Sequence, residues 1–204
     1  MTKEQAEMFY WQDRYQTEGT LGNAHYEQFY TEQFGLSRSD YENKRVLDIG
    51  CGPRGSLEWA EGALERVGLD PLVGQYRKLG IDSHGMKYVE AGAEQIPFPD
   101  EHFDVVAAFN ALDHVDDADA AVHEISRITK SGGIGLVIVE VNHRPRPTEP
   151  QTLEWEFLER FSGWRIVSES RVAINREHDV YASWLEAKAW RRGAGLLGAR
   201  LERL

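Results

Sequence analysis

The chain has 204 residues, 41% of them hydrophobic and 28% charged, with a formal net charge of -11. That length and apolar content can build a packed core without disulfides or metals, which sets aside disordered and fibrous classes. The acidic balance argues against nucleic acid as a partner, because phosphate neutralisation needs clustered Lys and Arg.

In chain order, the opening Met1-Thr2-Lys3-Glu4-Gln5 is polar and has no signal-type apolar core. Residues 4–35 carry Phe9, Tyr10, Trp11, Tyr15, Tyr26, Phe29, Tyr30 and Phe34 at spacings near three to four, split by Gly19-Thr20-Leu21-Gly22. This predicts two helices forming an N-terminal cap over residues 1–40. Arg45–Ile49 is a short apolar run and reads as a strand. Residues 56–65 have helical spacing through Leu57, Ala60 and Leu64. Strands follow at Arg66–Asp70, Lys87–Glu90 and Phe103–Phe109, with a short helix at 72–80. Residues 116–130 read as an amphipathic helix through Ala118, Ala121, Val122, Ile125 and Ile128, ended by Ser131-Gly132-Gly133. Ile134–Val141 is a continuous apolar run, as expected of a strand buried on both faces.

Beyond it, Pro145, Pro147 and Pro150 break the pattern. Residues 151–161 look helical. Residues 165–172 and 179–188 read as two strands of an antiparallel hairpin joined by Asn175-Arg176-Glu177-His178. The last stretch, 191–204, holds Leu196, Leu197, Leu201 and Leu204 at partly helical spacing. It reads as a tail able to dock on a second subunit, so a homodimer is an expectation. Arg191, Arg192, Arg200 and Arg203 fall in this tail, and Arg144 and Arg146 in the proline-rich loop. Both groups read as solvated surface. No run reaches the roughly 18 apolar residues of a membrane span, so no membrane partner is expected.

Strands alternating with helices imply crossovers and a parallel sheet. The expectation is a single α/β domain over residues 1–204: a doubly wound, mostly parallel seven-stranded sheet ending in an antiparallel C-terminal hairpin. Its cofactor-binding core spans 44–141, and residues 142–190 supply an acceptor loop, a helix and the hairpin.

In such sheets ligands bind beyond the carboxyl ends of the strands. The first such end reads Asp48-Ile49-Gly50-Cys51-Gly52-Pro53-Arg54-Gly55. Glycine lets the backbone turn sharply and approach a ligand, and Asp48 offers a carboxylate to an ammonium group. Asp70, at the next strand end, has the spacing of an acid that pairs with ribose hydroxyls. The G-x-G-x-x-G of Gly50, Gly52 and Gly55 alone fits a nicotinamide dehydrogenase equally well. Cys51, the one cysteine, allows no internal disulfide and fits a reducing cytoplasm. Between two glycines it reads as a small packing residue.

The wider pattern resembles the class I S-adenosylmethionine-dependent methyltransferases, of the type 11-like kind. Asp48–Gly52 looks like their first motif and Gly68-Leu69-Asp70-Pro71 like their second. Ala93–Asp100 with Phe103–Val106 resembles the third and fourth, Leu112-Asp113-His114-Val115 follows at the matching place, and Lys130–Gly133 resembles the loop before strand five. The resemblance covers about residues 44 to 141 and implies S-adenosylmethionine as cofactor. It implies that Asp48, Gly50 and Gly52 hold the methionine end, that Asp70 meets the ribose, that Ala93 and Glu94 lie at the adenine, and that Asn110 sits near the sulfonium. Gly92 departs from the pattern, since many relatives carry Asp there.

Methyl transfer needs an aligned nucleophile, and a hydroxyl nucleophile must lose its proton to a base or a metal. Candidate groups cluster after strands four and five: Asp113-His114-Val115-Asp116-Asp117 and Glu140-Val141-Asn142-His143-Arg144. Asp116 and Asp117 also suit a helix N-cap. Alternation places Glu140 and Asn142 on one face with His143 at the mouth. The set resembles the metal site of catechol-type O-methyltransferases. That resemblance implies Mg2+ held by Asp113, Glu140 and Asn142, with His143 and His114 as the catalytic candidates. Arg144, Arg146, Thr148 and Glu149 offer polar grips, and Trp155 and Trp164 a stacking surface. Together they point to O-methylation of a small polar metabolite, sugar or glycoside. The alternatives are a metal-independent N- or C-methyltransferase and a cofactor-binding, non-catalytic partner subunit.

Overall fold

The structure, a computed structural model, describes residues 2–204. Its strands are β1 (Arg45–Ile49), β2 (Glu65–Leu69), β3 (Lys87–Val89), β4 (Phe103–Phe109), β5 (Thr129–Val141), β6 (Trp164–Ala173) and β7 (Gly195–Arg203). They form one seven-stranded sheet in the order β3-β2-β1-β4-β5-β7-β6. The first five strands are parallel, and β7 runs antiparallel to both β5 and β6. The helices are α1 (Lys3–Glu18), α2 (Glu27–Tyr30), α3 (Val73–Tyr76), α4 (Ala118–Ile128) and α5 (Val180–Glu186). Among the described residues no helix is long and apolar enough to cross a membrane.

Strand alternation sorts the core into two layers. Leu47, Ile49, Val106, Ala108, Val137, Val139 and Leu197 pack with the apolar stripe of α4. Their sequence neighbours Val46, Val105, Ala107, Phe109, Leu136, Ile138 and Leu196 pack on the other face against Phe29, Tyr30, Phe34, Tyr41 and Trp184. The N-terminal aromatics from Tyr26 onward therefore serve as core. α1 stands apart: its Met8 packs with Leu21, Leu72, Val73, Tyr76, Leu79 and Ile81 in a separate cluster.

Several elements differ from the sequence expectation. The hairpin is made by β6 and β7, not by 165–172 with 179–188. Residues 180–186 are α5, capped by Asp179, whose side chain accepts from Ala182 N–H. The expected tail is strand β7, with Leu196, Leu197 and Leu201 fully buried. A strand buried on both faces reads as a near-continuous apolar run, and its leucines mimic helical spacing. They are core residues, whereas Leu204, the last of the four leucines, is exposed. Residues 56–64 form turns rather than a helix, the helical reading of 151–161 is met by a 3-10 helix at 155–160 alone, and β5 begins at Thr129, before the glycines expected to precede it.

Candidate active site

The strand order reverses between β1 and β4, and the loops after these two strands touch there. A Cβ on Gly50 would lie 2.5 Å from the Cβ of Ala111, so any larger residue would force them apart. Gly50, Gly52 and Gly55 all have positive φ, at 69°, 57° and 75°, a conformation L side chains rarely adopt. Asn110 is also left-handed, and its N–H donates to the Ile138 carbonyl.

Two buried carboxylates flank this loop. Asp48 is 3% exposed and accepts from the Ser56 hydroxyl. Burial pushes its pKa up to about 7, against the pull of hydrogen bonds from Ser56 and Tyr30. Asp70 accepts from Gly52 N–H at 3.1 Å and from Leu72 N–H at 2.9 Å. Burial raises its pKa also, opposed by those two amides and the Tyr76 hydroxyl. A carboxylate has about four acceptor sites, so Asp70, holding two amides and the Tyr76 hydroxyl, keeps room for one more hydroxyl. Positive-φ glycines, a buried strand-end acid and a second acid anchored to the loop suit a nucleoside with a charged amino-acid end.

α1 lies over this loop. A Cβ on Gly52 would come 2.9 Å from the Trp11 ring, whose Nε1 donates to Glu7 at 2.8 Å. Burial raises the pKa of Glu7, and the charges of Asp70 and Glu149 add to the shift, which puts Glu7 between the cofactor loop and the acceptor side. Lys3 Nζ donates to the His114 carbonyl at 2.7 Å and to Asp116 at 2.9 Å.

On the acceptor side, Asp113, His143 and Glu149 bring ligand atoms within 4.8 Å of one another. Asp113 is completely buried, and neither of its oxygens has a hydrogen-bond partner. Burial pushes its pKa up to about 8, with the charges of Glu149 and Glu140 adding to the shift. His143 is 3% exposed. Its Nδ1 lies 2.9 Å from the Arg144 carbonyl, while its Nε2 is unpartnered, 3.9 Å from Asp113 Oδ2. His114 Nε2 is also unpartnered, and burial lowers its pKa. The 142–151 loop docks on the loop after β4 through Gln151, whose N–H and side chain donate to the carbonyls of Asp113 and Asp116.

The expected magnesium ligands do not assemble. Glu140 is buried, but one of its oxygens accepts from Arg146 at 3.3 Å and the other lies 2.9 Å from His178 Nε2. Asn142 is exposed and left-handed, with φ 58°. Its N–H donates to the Leu153 carbonyl, and that turn ends the strand alternation that would have set its side chain beside Glu140.

The methyltransferase-domain family matches residues 47–137. A demethylmenaquinone methyltransferase of Thermobifida fusca is 30% identical over 194 residues, covering 90% of this chain and 78% of the relative. The chain belongs to the class I S-adenosylmethionine-dependent methyltransferases. A ubiquinone/menaquinone biosynthesis C-methyltransferase of Shewanella oneidensis is 45% identical over 62 residues, a match to 30% of this chain and 24% of that one. The S-adenosylmethionine-dependent methyltransferase of Mesorhizobium loti shares the fold, with a TM-score of 0.61 at 18% identity over 80% of this chain and 93% of the other.

Within this methyltransferase, Asp48, Gly50, Gly52 and Asp70 lie at the loop after β1, and Asn110 opens the neighbouring loop after β4. Ala93 is buried nearby in sequence to Glu94, whose Oε1 accepts from the N–H groups of Asp116 and Asp117. That oxygen therefore ties the segment between β3 and β4 to the α4 cap. Asp117 is the N-cap of α4, accepting from Asp119 and Ala120. Trp155 is core, its ring 4.7 Å from that of Trp190, and half-buried Trp164 donates to Ser126, so neither forms a stacking platform. Cys51 is buried and packs at Gly68. Sequence reasoning did not single out Glu7, Ser56 or Tyr76, and read Trp11 and Tyr30 only among the aromatics. The i,i+4 spacing of Glu7 and Trp11 was the one local hint.

Proposed function

We propose that this methyltransferase places a methyl group on a ring carbon of a hydroxylated aromatic small molecule of the quinol class. The observation that carries the reading is the likeness to a demethylmenaquinone methyltransferase, which extends over 90% of the chain and so beyond the cofactor core. S-adenosylmethionine supplies an electrophilic methyl group when bound. Asp48, Gly50 and Gly52 would hold its amino-acid end and Asp70 its ribose. Glu7 and Trp11 would cover it from outside. Ionising a ring hydroxyl makes the adjacent carbons nucleophilic, and the unpartnered Asp113 and His143 stand at the strand ends where that proton must leave. Holding the ring carbon in line with the methyl group is the larger part of the task.

Oxygen methylation of a polar metabolite, sugar or glycoside with Mg2+ is the second reading, favoured by the polar 144–149 loop. Against it, Arg146 is already bonded to Glu149 at 2.6 Å and to Glu140, which leaves few free grips. The test is to incubate the enzyme with S-adenosylmethionine and panels of reduced naphthoquinones, phenols and sugars, then locate the new methyl by NMR. A C-methylated ring supports the proposal. An O-methylated sugar overturns it, and cofactor binding without turnover of any acceptor points to the non-catalytic role.

A further inference from the structure

We propose that Asp113, His143 and Glu149 form a binding site for one divalent transition-metal ion of the Zn2+, Co2+ or Mn2+ class. The proposal deepens the methyl-transfer reading, since the ion would sit on the acceptor side of the same site. The first argument is the unmet demand of the donors. Both oxygens of Asp113 and the Nε2 of His143 are buried without a partner, where nearly all buried polar atoms find one. The second is spacing. His143 Nε2 and Asp113 Oδ2 are 3.9 Å apart, too far for a hydrogen bond but less than twice a metal–ligand bond of about 2.1 Å, so one ion can bridge them with a small inward shift. Glu149 completes a set whose ligand atoms lie within 4.8 Å of one another, so drawing together by up to about 1 Å, within reach of a glutamate side chain, would seat all three on one ion.

The third argument is orientation. With Nδ1–H donating to the Arg144 carbonyl, the lone pair of His143 is fixed on Nε2, the atom that faces Asp113. Metal-bound histidines commonly use such an outer hydrogen bond to set the tautomer. Glu149 is the adaptable member: it is half-buried, sits among Pro147 and Pro150, and has only Oε2 engaged, by Arg146. Arg146 also reaches Glu140, so it balances the surplus negative charge around the site.

An imidazole beside two carboxylates favours a transition ion over Mg2+, which prefers oxygen and waters. Three protein ligands leave an open position, and a hydroxyl oxygen bound there would be easier to ionise, so Asp113 and His143 would then promote loss of the proton as metal ligands rather than as bases, the proton passing to solvent.

The test is a Co2+ titration of chelator-treated protein, read by visible absorption and by bound metal per chain. One Co2+ per chain with ligand-field bands is expected, displaced by Zn2+. His143→Gln, Asp113→Asn and Glu149→Gln should each weaken binding at least tenfold. Circular dichroism keeps a folding defect separate, and half-exposed Glu149 gives the variant least able to disturb the core. Absence of Co2+ binding by the wild type overturns the proposal. So does binding that all three variants leave unchanged, or Co2+ displaced as readily by Mg2+ as by Zn2+. Binding of S-adenosylhomocysteine, measured on the same samples without metal, reports separately on the cofactor site.

Discussion

Asp48 shows how burial of a single carboxylate couples the fold to pH. Its carboxylate is buried beside Ser56 and Tyr30, where the charged form is poorly solvated. Its folded pKa of about 7 lies above the ordinary carboxylate value, so the folded state holds a proton that the unfolded state releases. This contribution is fully present below about pH 4 and is lost as pH rises through about 7, with a slope of at most about 1.4 kcal/mol per unit. Asp48→Asn removes that ionisation and keeps an acceptor for Ser56. Thermal melts from pH 5 to 8 should show the variant losing less stability than the wild type, while calorimetry shows weaker S-adenosylhomocysteine binding. A variant as pH-sensitive as the wild type would refute the assignment. Glu140 is the opposite case, a buried carboxylate held by the Arg146 guanidinium and by the His178 ring. Arg146→Ala leaves it with His178 alone and should cost about 1–3 kcal/mol in urea unfolding, since the partner side chain is partly solvated. The glycines, Asp48 and Asp70 were legible because a tight turn and a strand-end acid have local signatures. The grouping of Asp113 with His143 and Glu149 was not. It depends on where the proline-rich loop folds back, through Gln151, onto the loop after β4.

At the scale of elements, β1 to β5 could be read because each is a short apolar run closed by turn residues. The C-terminal third was misread for a physical reason. Val180-Tyr181-Ala182 has strand-forming side chains, but Asp179 caps the segment and Trp184 turns inward, so it winds as α5. Gly195 and Gly198 look like helix breakers in a tail, yet each admits a tryptophan ring against β7. A Cβ on Gly198 would collide with Trp184, and one on Gly195 would meet Trp190 and Trp155. The three rings pack on a strand that lies between two others, so there is little room to yield. Gly198→Ala should therefore destabilise the protein by about 1–3 kcal/mol in denaturant, the usual cost of overpacking a core. A neutral outcome would mean that Trp184 is free to rotate away.

Across the whole molecule, α1 is the one long helix that joins neither main core. It is held by a satellite cluster around Met8, by Glu18 paired with Arg54 and by Lys3 on the loop after β4. Such peripheral attachment puts an element at the low-stability end of local opening. Yet the same helix sets Trp11 on Gly52 and Lys3 on the His114 carbonyl, so one element touches the loops after both β1 and β4. Gly19, with φ 75°, ends it and supplies a turn about which it can swing. Two outcomes follow for hydrogen exchange and truncation. Amides of residues 4–18 should exchange faster than those of β4 and β5 in the free protein, and should slow markedly when S-adenosylhomocysteine binds. A chain beginning at residue 19 should keep its sheet, by circular dichroism and a cooperative melt, but bind the ligand at least tenfold more weakly. If the truncated chain binds as tightly as the whole one, α1 is packing only. If it fails to fold, the helix belongs to the core in spite of its separate cluster.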